Sequence, residues 1–514
     1  MAVIDSHEPD TRPAGYAELA ARLDVPILPN WHESHVASGG PRQVDRVAGM
    51  VREVYTSNYW PGDGLADHLE FALKYDGVNL AILTGLFHAI DVAELTAYVA
   101  SKPTGKYARR IWYLYELLTG ERLDLDDVER GNYVDVLEPD VYITANPNPA
   151  RKIRRQRVND NMLGDSRFCP TIRRTDAICR FMDANLAERC ERVMADYPPE
   201  LLKRALGYLY TKETKSSFEI EHISTNATRT DRFIALLELA EKEDFCNKAR
   251  LIDLQNRIVD PRFADTDYRT SQNYVGETVA WQSERIHYAC PRPSDLDSLM
   301  AGLIATHDRM GTGGVHPVLH ASAVAYGFVF MHPFEDGNGR IHRFLIHNIL
   351  ARFGFTPKGL MFPVSAAMLK DPGEYDASLE AFSKPLMSLV EYELNEDGRM
   401  TVLNDTAIWY RFIDMTPQAE ALFGFIEKTI DTELVQELNF LVNYDRTKAA
   451  IQEIVDMPDR KIDLFIRVCL QNHGQLSARK RQSHFAALTE DEITRMARVV
   501  QAAYEKDESG DQAE

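Results

Sequence analysis

The chain has 514 residues, 45% hydrophobic and 26% charged, which is ordinary globular composition at a length too great for one core, so two or three domains are expected. Its 58 Lys and Arg against 78 Asp and Glu give a net charge of −20, which argues against broad attraction to nucleic acid or to an anionic membrane surface. Six scattered cysteines without a CxxC pair read as free thiols of a cytoplasmic protein.

Residues 1–15 are polar, unlike a secretion signal, and read as a loose arm. The longest apolar stretches, such as Leu80 to Ile90, are too short to span a bilayer. His32-Glu33-Ser34-His35 has the wrong spacing for a zinc HExxH, so no zinc is read there. From Tyr16 to about Ala195 helical spacing dominates, predicting helices over Leu65–Lys74 and Tyr107–Leu118, the second capped by Gly120. Tyr133–Leu137 and Val141–Thr144, parted by Pro139, predict short strands or extended loop. The basic run Arg151–Arg157, with Arg173 and Arg174, offers a contact for an acidic partner or nucleic acid. Lacking interleaved aromatics, it reads better as a solvated face paired with the surplus carboxylates.

Near Leu201 the organisation changes. Leu201–Tyr210 reads as helix and leads into Thr214–His222, and Arg229–Glu243 and Asn247–Val259 read as amphipathic helices. Asn273–Trp281 and Arg285–Ala289 are β-prone and joined by Gln282-Ser283-Glu284, which predicts a hairpin. Ser294 or Asp295 caps a helix over Leu296–His307, and Gly311–Gly314 is a flexible link. The apolar run Pro317–Met331 reads as a buried helix, and Ile341–Phe353 as another.

Between those two helices lies His332-Pro-Phe-Glu-Asp-Gly-Asn-Gly-Arg340, followed after two residues by Arg343. Gly337 and Gly339 let backbone N–H groups converge at a helix N-terminus, a ready anion site that favours phosphate. Arg340 and Arg343, three apart, place two guanidinium groups beside it. Asp336 is a hard oxygen ligand suited to Mg2+, and His332 takes up a proton near neutral pH. Together they describe a nucleotide phosphate site. Glu335, His342 and His347 read as ordinary loop or helix residues.

Beyond the second helix, Gly359–Pro363 reads as extended and Leu379–Val390 as helix. Asn395-Glu396-Asp397-Gly398 signals a small hairpin between Val390–Leu394 and Met400–Leu403. Helices follow from Thr406, the last opening on a capping box, Thr489 and Glu492, stapled by Leu488 and Ile493. Residues 505–514 are acidic and read as a disordered tail.

The loop resembles the Fic family signature HxFx(D/E)GNGRxxR, with every fixed position present. The resemblance implies a mainly α protein: a Fic-type helical core over residues 201–385 with a small β-hairpin flap, a helical N-terminal extension over 1–200 and a helical C-terminal domain over 386–514. It implies transfer of AMP from ATP to a Ser, Thr or Tyr hydroxyl of a protein, a nucleotidyltransferase reaction. His332 would act as base, Asp336 would hold Mg2+, Gly337, Asn338, Gly339 and Arg340 would cradle phosphates, and Arg343 would engage the γ-phosphate. Phe334 would anchor the loop in the core.

The family's inhibitory helix carries (S/T)xxxE(G/N). Ser217 and Glu221 match its first two fixed positions, implying autoinhibition through Arg343, with Glu219 as the alternative should the register slip. His222 departs from the usual Gly or Asn. The flap residues Tyr274, Val275, Gly276, Glu277, Thr278 and Val279 would dock the protein substrate as an added strand. Self-modification and a homo-oligomer stay open; nucleic acid and membrane are not expected partners. Rival readings keep the site but change the donor (UTP, GTP, phosphate or phosphocholine transfer), remove AMP instead, or make the chain a catalytically quiet interaction protein.

Overall fold

A computed structural model of the chain describes residues 11–47, 49–146, 151–224, 226–280, 283–472 and 474–504. The N-terminal region departs from the helical expectation. Thr11–Ala14 (β1), within the stretch expected to be a loose arm, pairs antiparallel with His32–Ala37 (β2). β2 runs parallel to Met50–Tyr55 (β4), and Gln43–Val47 (β3) lies antiparallel to β4, giving the order β1-β2-β4-β3. The sequence hides this sheet because part of its buried face is polar. His32, Ser34 and Glu53 are buried, and His32 bridges Asp76 at 3.2 Å and Glu53 at 3.0 Å. Buried polar groups satisfied by one another give no hydrophobic alternation to read.

The predicted helices form over Leu65–Tyr75 and Lys106–Thr119, the second ended by Gly120 at φ 76°. Val134–Asp135 (β5), Lys152–Ile153 (β6) and Val158–Asn159 (β7) make a small sheet in the order β5-β7-β6. In the basic run, Arg155 pairs with Glu116 at 3.0 Å and Asp127 at 2.9 Å.

Five helices frame the loop: α1 (Pro199–Glu219), α2 (Lys248–Ile258), α3 (Pro293–Thr312), α4 (Pro317–Met331) and α5 (Asn338–Arg352). α4 is apolar all round and buried from Val318 to Phe328, as a helix enclosed by others must be. α1 continues unbroken to Glu219, so Thr214–Glu219 belongs to one long helix. α3 starts at Pro293 with Arg292 as its N-cap, which puts Ser294 and Asp295 inside its first turn. It also absorbs Gly311, leaving a shorter link than the glycines suggest. Tyr274–Ala280 (β8) and Ser283–Ala289 (β9) form the expected hairpin, Tyr274 opposite Ala289 and Ala280 opposite Ser283. β9 begins two residues earlier than expected, and Trp281 and Gln282 lie outside the described residues.

A continuous apolar core runs from Tyr16 to Leu441. Tyr392–Leu394 (β10) and Met400–Val402 (β11) form the small predicted hairpin. A separate cluster from Ile451 to Val500 unites the last helices. The capping box forms: the Glu492 amide donates to the Thr489 hydroxyl at 3.2 Å and the Thr489 amide to the Glu492 carboxylate at 2.7 Å. The N-terminal ten residues and the acidic tail lie outside the described residues. Among the described residues no single helix is long and apolar enough to cross a membrane.

Candidate active site

His332 ends α4 in a left-handed conformation, φ 47°, its amide still bonded to Phe328 O. That reversal turns the chain out of the helix and sets the half-buried imidazole at the mouth of the loop. Nδ1 lies 3.2 Å from the Val329 carbonyl. A carbonyl only accepts, so Nδ1 carries the proton and Nε2 keeps its lone pair. Burial holds the pKa down to about 4, against the pull of the Val329 carbonyl. The ring is therefore a neutral base.

The loop is braced by its own Asn338. The Asn338 side chain accepts from the Phe334 amide at 3.1 Å and donates to the Phe334 carbonyl at 2.8 Å. That side chain is thus engaged within the loop, and only its backbone N–H is left for an anion. Phe334 is fully buried beside Tyr268 and Phe328, as a core anchor should be. Gly337 caps α5 at φ 91°, and a Cβ there would lie 3.0 Å from Val259 Cγ1. Backbone and space both demand glycine. α5 begins at Asn338, three residues before the expected start, so Gly339 and Arg340 sit in its first turn, where N–H groups lack helical partners.

The charged groups converge on that turn. Arg343 and Arg340 are 2% and 3% exposed. Glu221, just beyond the end of α1, reaches both: Oε1 lies 2.7 Å from Arg343 Nη2 and Oε2 2.7 Å from Arg340 Nε. Ser217, one turn earlier, accepts from Arg343 through its hydroxyl at 2.9 Å and its carbonyl at 2.6 Å. Asp336 accepts from Arg340 Nη2 at 2.7 Å and from the Gly337 amide at 2.6 Å, with its side chain half exposed. A Cβ on Gly339 would fall 2.5 Å from Glu221 Oε1, so the carboxylate lies directly against the start of α5. His222 occupies the left-handed region at φ 55°. Gly or Asn adopts that conformation at less cost, and His bears a strain of about 1–2 kcal/mol there.

Several residues without a motif role prove to be structural partners. His347, expected to be an ordinary helix residue, places Nε2 2.7 Å from Glu213 Oε1, with both side chains buried. Ser365 donates its amide to Glu213 Oε2 at 2.9 Å. Glu213, Ser217 and Glu221 are spaced four apart and face α5, Glu213 at His347, Ser217 at Arg343 and Glu221 at both Arg340 and Arg343. Glu335 accepts from the Ser271 hydroxyl at 2.5 Å. Gln255 on α2 is buried and donates to the Asp336 carbonyl at 3.4 Å and to Asp265 at 3.1 Å. His342 is an apolar-pocket histidine whose pKa burial lowers to about 3. Nothing local in the sequence marks these partners, because every contact but that of Gln255 with Asp265 spans more than sixty residues. The Ser271–Glu335 bond ties the foot of the hairpin to the loop, and Cys290 N donates to Asn273 O at 3.1 Å, extending the β8–β9 ladder toward that foot. For Thr278 and Val279 only the backbone is described; Tyr274, Val275, Gly276 and Glu277 lie on β8.

Residues 245–350 match the Fic/DOC family. The chain is 27% identical over 251 residues to "Protein adenylyltransferase Fic" of Aedes aegypti, covering 44% of this chain and 48% of the relative. It is 33% identical over 122 residues to the protein of the same name from Culex quinquefasciatus, covering 23% of this chain and 22% of the relative. The chain thus spans less than half the length of these curated relatives. A Fic family protein from Desulfovibrio desulfuricans G20 aligns over 66% of this chain and 90% of its own at 19% identity, with a TM-score of 0.36.

Proposed function

We propose, from the premise that residues 245–350 constitute a Fic domain, that this chain transfers AMP from ATP to a protein hydroxyl and is held in check by Glu221. One observation carries the reading. A neutral histidine with a free Nε2 stands at one end of a braced loop, and two buried arginines that share the Glu221 carboxylate stand at the other.

In the reaction, His332 Nε2 takes the proton of the acceptor hydroxyl as its oxygen bonds to the α-phosphorus. The bond from that phosphorus to the bridging oxygen breaks, and pyrophosphate leaves. The N–H groups at the start of α5 and the Arg340 guanidinium stabilise charge on the phosphate oxygens. On this reading Arg343 engages the γ-phosphate. Asp336 fits a Mg2+: its carboxylate is half exposed, and this ion is usually held by one or two carboxylates plus substrate phosphates. When bound, the ion would neutralise charge on the leaving pyrophosphate. Glu221 occupies the two guanidinium groups that the phosphates need, so its carboxylate competes with the anion by charge and by place.

The proposed partner is a protein whose segment adds to the edge of the β8–β9 hairpin, which would bring its hydroxyl to His332. Wild type, Glu221→Gly and His332→Ala, each given Mg2+ and α-labelled ATP, test the reading. Label on protein should rise strongly in Glu221→Gly and be absent from His332→Ala. Label from γ-labelled ATP, or from UTP or GTP in preference to ATP, would overturn the donor assignment. Equal labelling by wild type and Glu221→Gly would overturn the inhibition.

A further inference from the structure

Arg269 lies just before the hairpin and is 4% exposed. A guanidinium buried to that degree ordinarily meets a carboxylate, because burial disfavours its charge. Arg269 instead spends its donors on three backbone carbonyls. Nε donates to His332 O at 2.8 Å, Nη1 to Ser271 O at 2.7 Å and Nη2 to Pro291 O at 2.7 Å. Its own amide donates to Pro333 O at 2.8 Å. Ser271 and Pro291 are the two feet of the hairpin, three residues before β8 and two after β9. His332 O is the carbonyl at the C-terminal end of α4, where the helix dipole favours a cation.

We infer that Arg269 is a positioning residue that fixes the His332 peptide to both feet of the flap, and so sets where an acceptor hydroxyl meets the base. This rests on the proposed transfer reaction and assigns a residue to its acceptor side. The rigid planar fork suits that role, since one group with donors in fixed directions holds three carbonyls from three chain segments. Second contacts of the same sense lie alongside. Gln272 donates to Cys290 O at 2.7 Å, closing the feet on each other, and Ser271 holds Glu335 of the loop. The phosphate side is built from other residues, on α1 and α5. Arg269 touches none of Glu221, Arg340 or Arg343 among its hydrogen bonds, so nucleotide binding and acceptor placement are separable.

The test uses the full chain in the Glu221→Gly background, with Arg269→Lys and Arg269→Ala added. Transfer from α-labelled ATP should fall in kcat at least about thirtyfold in both, while the KM for ATP stays within about twofold. Ethylguanidinium should restore part of the Arg269→Ala rate and ethylammonium should not, since the planar fork rather than the charge is required. Hydrogen exchange should quicken in 270–276, 286–292 and 332–336 and stay unchanged in α5. A parallel loss of ATP affinity, equal rescue by the ammonium compound, or unchanged exchange at the flap feet would each overturn the inference. Should the Glu221→Gly parent itself transfer no label, the reaction fails. The exchange pattern, measured in the same proteins, still decides whether Arg269 joins loop and flap.

Discussion

Replacing Glu221 by Gln alters one charge and little else, and the structure allows the consequence to be worked out. The carboxylate makes two charge-assisted contacts at 2.7 Å, to Arg340 and Arg343. Only the Arg343 contact is a hydrogen bond, worth about 1.5–3 kcal/mol, and the Arg340 ion pair adds about 1 kcal/mol of attraction, so about 3–4 kcal/mol opposes an anion that must displace both. Glu221 is 22% exposed at its side chain, and solvent screening reduces this to about 2–3 kcal/mol. At about 1.4 kcal/mol per tenfold, Glu221→Gln should tighten ATP about 30- to 150-fold. AMP, which lacks the γ-phosphate, should gain much less. Calorimetric titration of wild type and variant with ATP, ADP and AMP reads this directly. Equal gains for ATP and AMP would refute the assignment of Arg343 to the γ-phosphate, and no gain for either would refute competition by Glu221. In the absence of nucleotide the same variant should melt below wild type, because the buried Arg343 guanidinium loses its counter-charge and Arg340 keeps only Asp336.

Asn338→Ala would orphan the Phe334 amide and carbonyl in a buried turn, at about 1–3 kcal/mol for each group, and should lower the melting temperature and abolish transfer together; an unchanged rate would show that the loop holds its shape without the brace. The folded His332 stays unprotonated well below its ordinary 6.5, so the transfer rate should be flat from about pH 8 to pH 5.5, and an apparent pKa near 6.5 in the kcat profile would contradict the buried neutral base. The same depression has no effect on stability above about pH 6.5, where folded and unfolded rings are both neutral. It costs stability as pH falls from about 6.5 toward 4, where only the unfolded ring binds a proton. Glu213→Ala should cost about 3–5 kcal/mol in denaturant unfolding, since it strands His347 and the Ser365 amide in the core. It should also loosen α1 enough to raise ATP affinity, whereas a loss below about 0.5 kcal/mol would mark the pair as dispensable.

The motif loop is legible because its chemistry is local. Twelve consecutive residues supply base, turn glycines and arginines, and the apolar run from Pro317 to Met331 bounds the helix before them correctly. The hairpin is legible for the same reason, its β-branched and aromatic runs lying side by side. Ser217 and Glu221 are recognisable only through their resemblance to the family's inhibitory motif, which implies a pairing of Glu221 with Arg343 alone. Only the folded chain brings it to Arg340 as well.

Each segment whose partners lie within a turn or two along the chain is therefore readable from its residues. Tertiary structure alone decided the polar sheet built around His32, Glu53 and Asp76, and the His347–Glu213 pair across 134 residues. It also decided the Arg269 fork, which reaches His332 across 63 residues. A buried polar side chain leaves no periodic trace, because its environment is satisfied by groups distant in sequence, and only the closed fold brings those groups within hydrogen-bonding distance.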